Sequence, residues 1–542
     1  MKIDTFIRAA FFCLGIAPSL ADGGDTYRNP IVAGTWSDPG VIRVGEDYYS
    51  ACSTQGWQPG AHIIHSRDLV HWEYVGHAFK HHLKVPTGRS NAGIWGLEIG
   101  YNPNNKSFIL YVPTNRGHVN AYYSSDPAGP YEEKYLGRLG TDPGFFADGS
   151  RLYLLFSERA TIFELTDDGL SIKREVVTIK RQGIPIFEGP DLLKRGKYYY
   201  LVYNSHGTGP HEGGRISTMR AKRLEGPWEV DPGNPQLATD ENAALQGPQH
   251  PTLIQTQTGE WFCFYHAHDL EYYSLGRVMC MEPIRWTDDG WWRPAGGRIP
   301  TVANKKPNLP EHRLKLADTD EFDTAMLGLQ WFFHCKPDYS GAAWSLTEKP
   351  GNLRIKTLPG DLSSIESLQN VFLQRVRLKQ FAFAAKVRFD ARQDREAAGI
   401  HMYHDPGMNF WLATTVKDGA PTIEVGKYND GTRTGMFSVP NTIGDTVHLK
   451  IIVDGREGAT CHYSGDGRTW RQLGKQIYFG NSWRDLRDDR RGDPDLGWVG
   501  WKWRNKWNGA TFGVFARADG ARPGKNADLS YFRVADLEQL DE

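Results

Sequence analysis

Strand-like apolar segments, rich in aromatic residues, recur through the first 300 residues. Each follows a tight turn, and a further strand-like segment and an acidic turn come after it. The segments begin at Gly45, Asn105, Gly149, Gly196 and Gly259, at intervals of about 44 to 63 residues. Four-stranded units repeated at such spacing are typical of radially arranged sheets. The pattern predicts an all-β fold that opens with a five-bladed β-propeller; an array of β-sandwich hairpins is the alternative.

A Pro- and Lys-rich segment at 302–312 separates this repeat from a second strand pattern. Alternation with a period of two residues returns at 382–391, 423–431, 448–455 and 529–537. Such alternation predicts strands with one buried face, as in a β-sandwich. We therefore expect a propeller over 22–305 and a β-sandwich over 306–542. The tryptophans of the second region fit either packing or carbohydrate binding: Trp470, Trp483, Trp498, Trp501, Trp503 and Trp507.

The N-terminus carries the features of an export signal. Lys2 and Arg8 precede an apolar run over 9–20, and Ser19-Leu20-Ala21 fits a cleavage site. We predict a signal peptide over 1–21 and a secreted protein, extracellular or periplasmic; a buried N-terminal helix is the alternative. No other segment approaches the ~20 apolar residues of a membrane span, so no membrane association is expected.

Composition and charge narrow the class of partner. The net charge of −1 gives no reason to expect binding to nucleic acid or to an anionic membrane. Aromatic residues make up 12 % of the chain, including 18 Trp, and suit a neutral carbohydrate that stacks on aromatic faces. The six cysteines match no zinc-site spacing. Cys263 and Cys280 could form a disulfide across neighbouring strands, and the sequence leaves that open.

A functional-looking side chain lies about ten to thirteen residues before each aromatic segment. The first strand of each propeller blade runs along the central channel, so equivalent positions on these strands should face one axis. We expect these side chains to meet in one pocket: Asp38, Trp95, Asp142, Glu188 and His250.

Three carboxylates in one pocket suit general acid–base chemistry. Mutual repulsion should raise the pKa of one carboxyl group, while an ionised one serves as a base. Hydrolysis of a glycosidic bond uses such a pair, and a separation of about 6.5–9.5 Å admits water and inverts the configuration. The alternative for each Asp-Pro pair alone is an ordinary turn.

Three of these segments resemble glycoside hydrolase family 43. They are NPIVAGTWSDPGVIRVGEDYY, TDPGFFADGSRLYLLF and FEGPDLLKRGKYYYLVYNS, which occur in the family's order. The resemblance implies that Asp38 is the general base, Glu188 the general acid, and Asp142 the residue that orients the acid and tunes its pKa. The second region resembles the concanavalin A-like β-sandwich of family-43 xylosidases and arabinofuranosidases.

The resemblance also implies residues that bind substrate. Trp95 matches a tryptophan that lines the sugar pocket, and Arg277 matches an arginine that reaches the sugar hydroxyls; a salt bridge is the alternative for Arg277. His250 matches a histidine near the channel, which in relatives can hold a water or a cation, although Gln249 stands here where relatives have glycine. Trp36 and Trp57 are expected to shape the pocket wall.

These expectations define an exo-acting, inverting glycoside hydrolase. It would release α-L-arabinofuranosyl or β-D-xylosyl residues from plant cell-wall polysaccharide or its oligosaccharides. An endo-arabinanase and a non-catalytic sugar-binding propeller are the alternatives. No cofactor is required and no metal is expected at the active site, although a structural calcium between Asp323 and Asp528 is left open. The choice of pentose and the oligomeric state are also left open.

Overall fold

A computed structural model describes most of the chain from residue 24 to 538. The residues outside it are 1–23, 80–92, 115–116, 159, 181–186, 208–212, 335–341, 360–361, 364–367, 369, 395, 406–407, 430–431, 456–457, 478–507, 519–523 and 539–542. The predicted signal peptide therefore lies outside the described residues, as do Trp483, Trp498, Trp501, Trp503 and Trp507. Within the described part, no helix has the length and apolar character needed to cross a membrane.

Twenty-four strands form the first part of the chain as the structure describes it. They are β1 Thr26–Arg28, β2 Ser37–Val44, β3 Asp47–Ser53, β4 Trp57–Gln58, β5 Gly60–Ser66, β6 Glu73–Phe79, β7 Glu98–Asn102, β8 Ser107–Thr114, β9 His118–Ser124, β10 Glu132–Arg138, β11 Pro143–Asp148, β12 Arg151–Phe156, β13 Thr161–Leu165, β14 Ile172–Thr178, β15 Glu188–Arg195, β16 Tyr198–Ser205, β17 Arg215–Ala221, β18 Glu229–Val230, β19 Leu237–Ala238, β20 Leu245–Gln255, β21 Trp261–Asp269, β22 Arg277–Trp286, β23 Trp292–Pro294 and β24 Ala303–Lys305. One turn of 3₁₀ helix, Tyr273–Leu275, precedes β22.

Five antiparallel sheets follow one another in this part. Their strand orders are β2-β3-β5-β6, β7-β8-β9-β10, β11-β12-β13-β14, β15-β16-β17-β18 (with β19 also beside β17) and β20-β21-β22-β23. The first strands pack side by side in the order β2, β7, β11, β15, β20, and β20 packs against β2. Strand β1 pairs with β24, which joins the two ends of this part.

Side chains link the first strands, which do not share a backbone ladder. Asp191 of β15 accepts a hydrogen bond from the Leu253 N–H of β20 at 3.0 Å. Thr252 of β20 donates to the Pro39 carbonyl of β2 at 3.3 Å. Since buried backbone groups must find partners, these bonds fix the positions of neighbouring first strands relative to one another.

The second part is a β-sandwich, as predicted. Its strands are β25 Phe333–His334, β26 Trp344–Ser345, β27 Leu353–Lys356, β28 Val371–Arg375, β29 Gln380–Arg388, β30 Ala397–Asp405, β31 Met408–Lys417, β32 Ala420–Asn429, β33 Thr432–Pro440, β34 Thr446–Asp454, β35 Gly458–Ser464, β36 Arg471–Ile477, β37 Thr511–Arg517 and β38 Asn526–Asp536. One sheet has the order β26-β27-β38-β29-β34-β35-β36, and the other β28-β37-β30-β31-β32-β33. Aromatic side chains such as Phe383 and Phe512, with ring centres 5.0 Å apart, pack between them. The all-β prediction is confirmed.

The structure bears on two possibilities that the sequence left open. Cys263 and Cys280 lie on adjacent strands, but both are free and buried, because the register places Cys263 opposite Glu282 rather than opposite Cys280. The carboxylate of Asp528 is bonded to Arg354 Nε and Lys349 Nζ, each at 2.8 Å. Its negative charge is therefore already compensated by two cations, which removes the reason for a calcium ion there.

Candidate active site

A residue with a left-handed φ lies at or just before the start of β2, β7, β11 and β15, and another lies in the middle of β20. They are Asp38 (53°), Gly96 (48°), Asp142 (46°), Gly189 (50°) and His250 (50°). Non-glycine residues rarely adopt this conformation, and such strain concentrates at functional sites. The sequence analysis treated Trp95 and Glu188 as equivalent to the three other predicted site residues. In the structure the equivalent positions are those of Gly96 and Gly189, and Trp95 and Glu188 each stand one residue earlier.

The turns are packed against one another. A Cβ on Gly96 would overlap the carboxylate of Asp142, and a Cβ on Gly189 would lie 2.7 Å from His250 Cγ. Only glycine permits both this approach and the left-handed backbone. Gly96 thereby brings the backbone next to Trp95 close to Asp142, and Gly189 brings the backbone next to Glu188 close to His250. The charges of Asp38, Glu188 and His250 act on Asp142, so these four side chains lie near one another.

Asp38 is 5 % exposed and is surrounded by nitrogen atoms. Arg277 Nη1 donates to Asp38 Oδ1 at 2.6 Å, and His250 Nε2 and His266 Nδ1 lie 3.4 and 3.3 Å from the same oxygen. Burial alone would raise the pKa of this carboxyl group, but the charges of Arg277 and His250 hold it well below its usual range. Asp38 is therefore ionised at neutral pH and can accept a proton.

His266 is a site residue that the sequence analysis missed. Its Nδ1 accepts a hydrogen bond from the Asp38 backbone N–H at 3.1 Å, so the ring proton lies on Nε2. Burial is the main cause that lowers the pKa of His266 to about 3, and the ring is neutral. The sequence did contain a signal for this residue, because His266 directly follows the apolar segment WFCFY of β21.

Asp142 carries the raised pKa that crowding was expected to produce. Burial is the main cause of the rise to about 6; the charges of Glu188 and Asp38 add to it, while His250 opposes it. Ser157 Oγ donates to Asp142 Oδ2 at 3.3 Å. Two neighbouring aspartates thus have pKa values displaced in opposite directions, which is how acid and base functions are separated within one site.

Replacing Asp142 by asparagine should stabilise the protein at pH 7. The pKa of Asp142 is about 6 in the folded protein against an ordinary 3.8, so its burial destabilises the fold fully above pH 6 and not at all below pH 4. Removing the charge should add at most about 3 kcal/mol at pH 7, even as activity falls. Thermal melts of both proteins at pH 7 and pH 4 measure this, and the difference should vanish at pH 4.

Asp148, later on the same strand, is the matched control. Burial would raise its pKa, but hydrogen bonds from Lys194 and Tyr199 lower it, so Asp148→Asn should slightly destabilise the protein at pH 7. A lower melting temperature for Asp142→Asn than for wild type at pH 7 would contradict the argument.

Glu188 begins β15 and is half-buried. It lies opposite Asn204 in the register, and the Oδ1 of Asn204 accepts a hydrogen bond from the His250 N–H at 3.3 Å. The preceding residue, Phe187, stacks on Tyr203 with ring centres 5.0 Å apart. Buried packing on one side and the Asn204–His250 contact on the other fix the direction in which this carboxylate leaves the strand.

Trp95 is 41 % exposed, which is unusual for a large aromatic side chain. The next backbone N–H, that of Gly96, donates to Ser53 Oγ at 2.6 Å and fixes the turn. An exposed indole is available for stacking on a sugar ring.

The other predicted binding residues are placed differently. Arg277 forms the ion pair with Asp38, the alternative that the sequence had kept open. Trp36 is fully buried and donates from Nε1 to Ser50 Oγ at 3.0 Å. Trp57 is buried where β4 pairs with β25 of the β-sandwich, and it packs on Phe332 at 4.5 Å. The prediction that Trp36 and Trp57 form the pocket wall is wrong, because both are core residues.

A metal site does not emerge from the described residues, in which no group of three or more His, Cys, Asp or Glu is placed to hold an ion.

Confined carboxylates with divergent pKa values are typical of the active site of a glycoside hydrolase. Residues 27–292 match the sequence model of Glycosyl hydrolases family 43. Residues 319–535 match that of the beta xylosidase C-terminal Concanavalin A-like domain. The chain belongs to glycosyl hydrolase family 43, as its motifs predicted.

Individual relatives support this assignment. The chain is 31 % identical over 413 residues to a non-reducing end alpha-L-arabinofuranosidase of Bacteroides ovatus, covering 73 % of this chain and 77 % of the relative. It is 29 % identical to a xylan 1,3-beta-xylosidase of a Vibrio species, covering 94 % and 98 %. Its structure resembles the GH43 protein BlXynB of Bacillus licheniformis, with a TM-score of 0.84, 30 % identity and coverage of 94 % and 100 %.

Proposed function

We propose that this protein is an exo-acting, inverting glycoside hydrolase that releases single pentose residues from plant cell-wall polysaccharide or its oligosaccharides. Asp38 is the general base, Glu188 the general acid, and Asp142 tunes and orients the acid. The observation that carries the proposal is the buried Asp38 carboxylate, paired with Arg277 at 2.6 Å and kept ionised by the charges of Arg277 and His250, beside a carboxyl group with a raised pKa.

The reaction follows from these assignments. Asp38 takes a proton from a water molecule while the oxygen of that water forms a bond to the anomeric carbon. Glu188 gives its proton to the glycosidic oxygen as the bond from that oxygen to the anomeric carbon breaks. The water attacks opposite the leaving group, so the configuration inverts. Arg277 bonds to one Asp38 oxygen, which limits rotation of the carboxylate and keeps the base directed at the water.

The fold supports this arrangement if the five sheets are read as five propeller blades. Their first strands contact one another in a closed order, and the charges of Asp38, Glu188 and His250 act on Asp142, so residues of four of these strands or their preceding turns lie close together. In this proposal residues 22–305 form the catalytic propeller and 306–542 the accessory β-sandwich. Residues 1–21 direct export, which suits an enzyme whose polymeric substrate lies outside the cell.

Both candidate pentoses are supported by relatives. The Bacteroides ovatus relative is named an arabinofuranosidase and the Vibrio relative a xylosidase, and a relative from Butyrivibrio fibrisolvens is named for both activities. The Trp95 indole stacks on a single terminal sugar in this proposal, which favours release from chain ends.

Nitrophenyl α-L-arabinofuranoside and β-D-xyloside test the proposal. We expect hydrolysis of at least one, with proton NMR showing the inverted anomer as the first product. Digestion of linear arabinan and xylo-oligosaccharides should yield the monosaccharide alone from the start. Early release of oligosaccharides would indicate an endo-acting enzyme, and binding of these sugars without any hydrolysis would indicate a non-catalytic protein.

A further inference from the structure

A buried arginine of the β-sandwich reaches the turn that carries the catalytic base. Arg375 ends β28 and is 2 % exposed. Its Nε donates to the carbonyl oxygen of Thr35 at 3.2 Å, three residues before Asp38. Aromatic faces surround its guanidinium, with ring centres 5.2 Å away for Trp36 and Trp57 and 5.4 Å for Phe332.

The charge of Arg375 has no carboxylate partner of its own among the described residues, and its Nη1 has no hydrogen-bond partner there. A buried cation without a counter-ion is costly, so a nearby negative charge is expected to compensate it. The surroundings of Cys52 indicate which negative charge this is. Arg375 Nη2 lies 3.7 Å from Cys52 Sγ, and the pKa of this thiol, raised by burial to about 12, responds to the charges of Arg375, Asp38 and Arg277. The Arg375 charge thus lies within reach of the Asp38–Arg277 pair.

Another contact from the β-sandwich holds the same turn. The Gly509 N–H donates to Thr35 Oγ1 at 2.6 Å, and the following N–H donates to the Ser274 carbonyl at 2.7 Å. Thr35 stands three residues before Asp38, and Ser274 three residues before Arg277. The β-sandwich therefore contacts both segments that lead into the ion pair of the base.

We propose that Arg375 is a positioning residue of the active site, which fixes the Thr35–Asp38 segment and favours the ionised form of Asp38. The β-sandwich then completes the catalytic machinery rather than only packing against it. This inference rests on the proposed role of Asp38 as general base.

Other charged and titratable groups surround Asp38, and the experiment must separate their effects from that of Arg375. They are Cys52 of β3, Asp142 just before β11, Glu188 of β15, His250 of β20, His266 of β21 and Arg277 of β22. His62 of β5 and His77 of β6 face Arg375 itself, because burial and then the Arg375 charge lower the pKa of both. A shift in the pH profile that occurs in a neutral variant and is absent from Arg375→Lys therefore reports the Arg375 charge.

Arg375→Met removes the charge and the bond to Thr35 while keeping an apolar side chain of similar length. We expect kcat to fall about 10- to 100-fold through misplacement of the base, with KM changing less. The acidic limb of the kcat/KM profile, which reports the base in the free enzyme, should move to higher pH because a positive charge near Asp38 is lost. Arg375→Lys keeps the charge, so its acidic limb should stay at the wild-type position.

Arg377→Met is the matched control, since Arg377 stands two residues further on and pairs with Asp318 and with the Leu316 carbonyl. It should lower stability while leaving kcat and the acidic limb at wild-type values. Thr35→Val, which removes the acceptor of the Gly509 bond, gives a second test and should also lower kcat. Wild-type kcat and an unmoved limb in Arg375→Met overturn the inference; if that variant does not fold, the same result in Arg375→Gln, which also removes the charge, does so. Activity retained in Asp38→Asn would instead overturn the proposed function.

Discussion

Replacing Asp38 by asparagine is expected to lower kcat/KM about 10³- to 10⁴-fold on every glycoside that the enzyme cleaves. The amide occupies the same space but cannot take a proton from water, and the leaving group makes no difference to that loss. The variant should also be less stable, because Arg277 loses its buried counter-charge and breaking one side of such a pair costs about 3–5 kcal/mol. Steady-state kinetics on activated and natural substrates, together with thermal melts, measure both effects.

Asp231→Asn separates the two effects. Asp231 is a buried aspartate of the first part that pairs with Arg293 at 3.0 Å, away from the site. The Asp231→Asn protein should lose a comparable amount of stability and keep the wild-type kcat. An Asp38→Asn protein that retains more than about a tenth of wild-type activity is incompatible with the base role, since one base contributes about 10²- to 10⁴-fold.

Replacing Glu188 by glutamine should give a loss that depends on the leaving group. Xylo- and arabino-oligosaccharides need a proton on the departing oxygen, so their hydrolysis should fall about 10³- to 10⁴-fold. Dinitrophenyl glycosides leave as stable anions and should lose far less. The alkaline limb of the kcat/KM profile, which reports the essential acid, should disappear with the dinitrophenyl substrate.

The control for this change is Glu164→Gln. Glu164 is equally a strand carboxylate of the first part, but it pairs with Arg151 at 3.0 Å and Arg174 at 2.8 Å, remote from the turns. Its replacement should leave the ratio of activities on the two substrate classes unchanged. If Glu188→Gln loses the same factor on dinitrophenyl and natural glycosides, Glu188 is not the proton donor.

Much of the fold could be predicted because short sequence patterns specify its strands. Aromatic strands such as 196–205, each after a glycine turn, recur at blade spacing, and the alternation at 448–455 is that of a half-buried strand. Disulfide pairing could not be predicted in the same way. Cys263 and Cys280 do lie on neighbouring strands, but whether two residues face each other depends on strand register, which is set by the whole hairpin.

The candidate site was predicted in part. Asp38, Asp142 and Glu188 were found because each stands in a short motif with proline and glycine. His266 was missed, because it belongs to the second strand of its sheet and reaches Asp38 across 228 residues of sequence. Trp36 and Trp57 were placed wrongly, since an indole in a β-rich sequence suits a core as well as a pocket wall, and only burial distinguishes the two.

The sequence by itself determined the class of fold and the family, and it singled out the candidate carboxylates, because these depend on residue types at short spacings. Only the tertiary structure decided which carboxylate is kept ionised and which has the raised pKa. These properties depend on burial and on charges brought to Asp38 and Asp142 by other sheets, and in our inference by Arg375 of the β-sandwich. Electrostatic interactions depend on distance in space, and residues hundreds of positions apart in the chain meet only when the sheets close around their common centre.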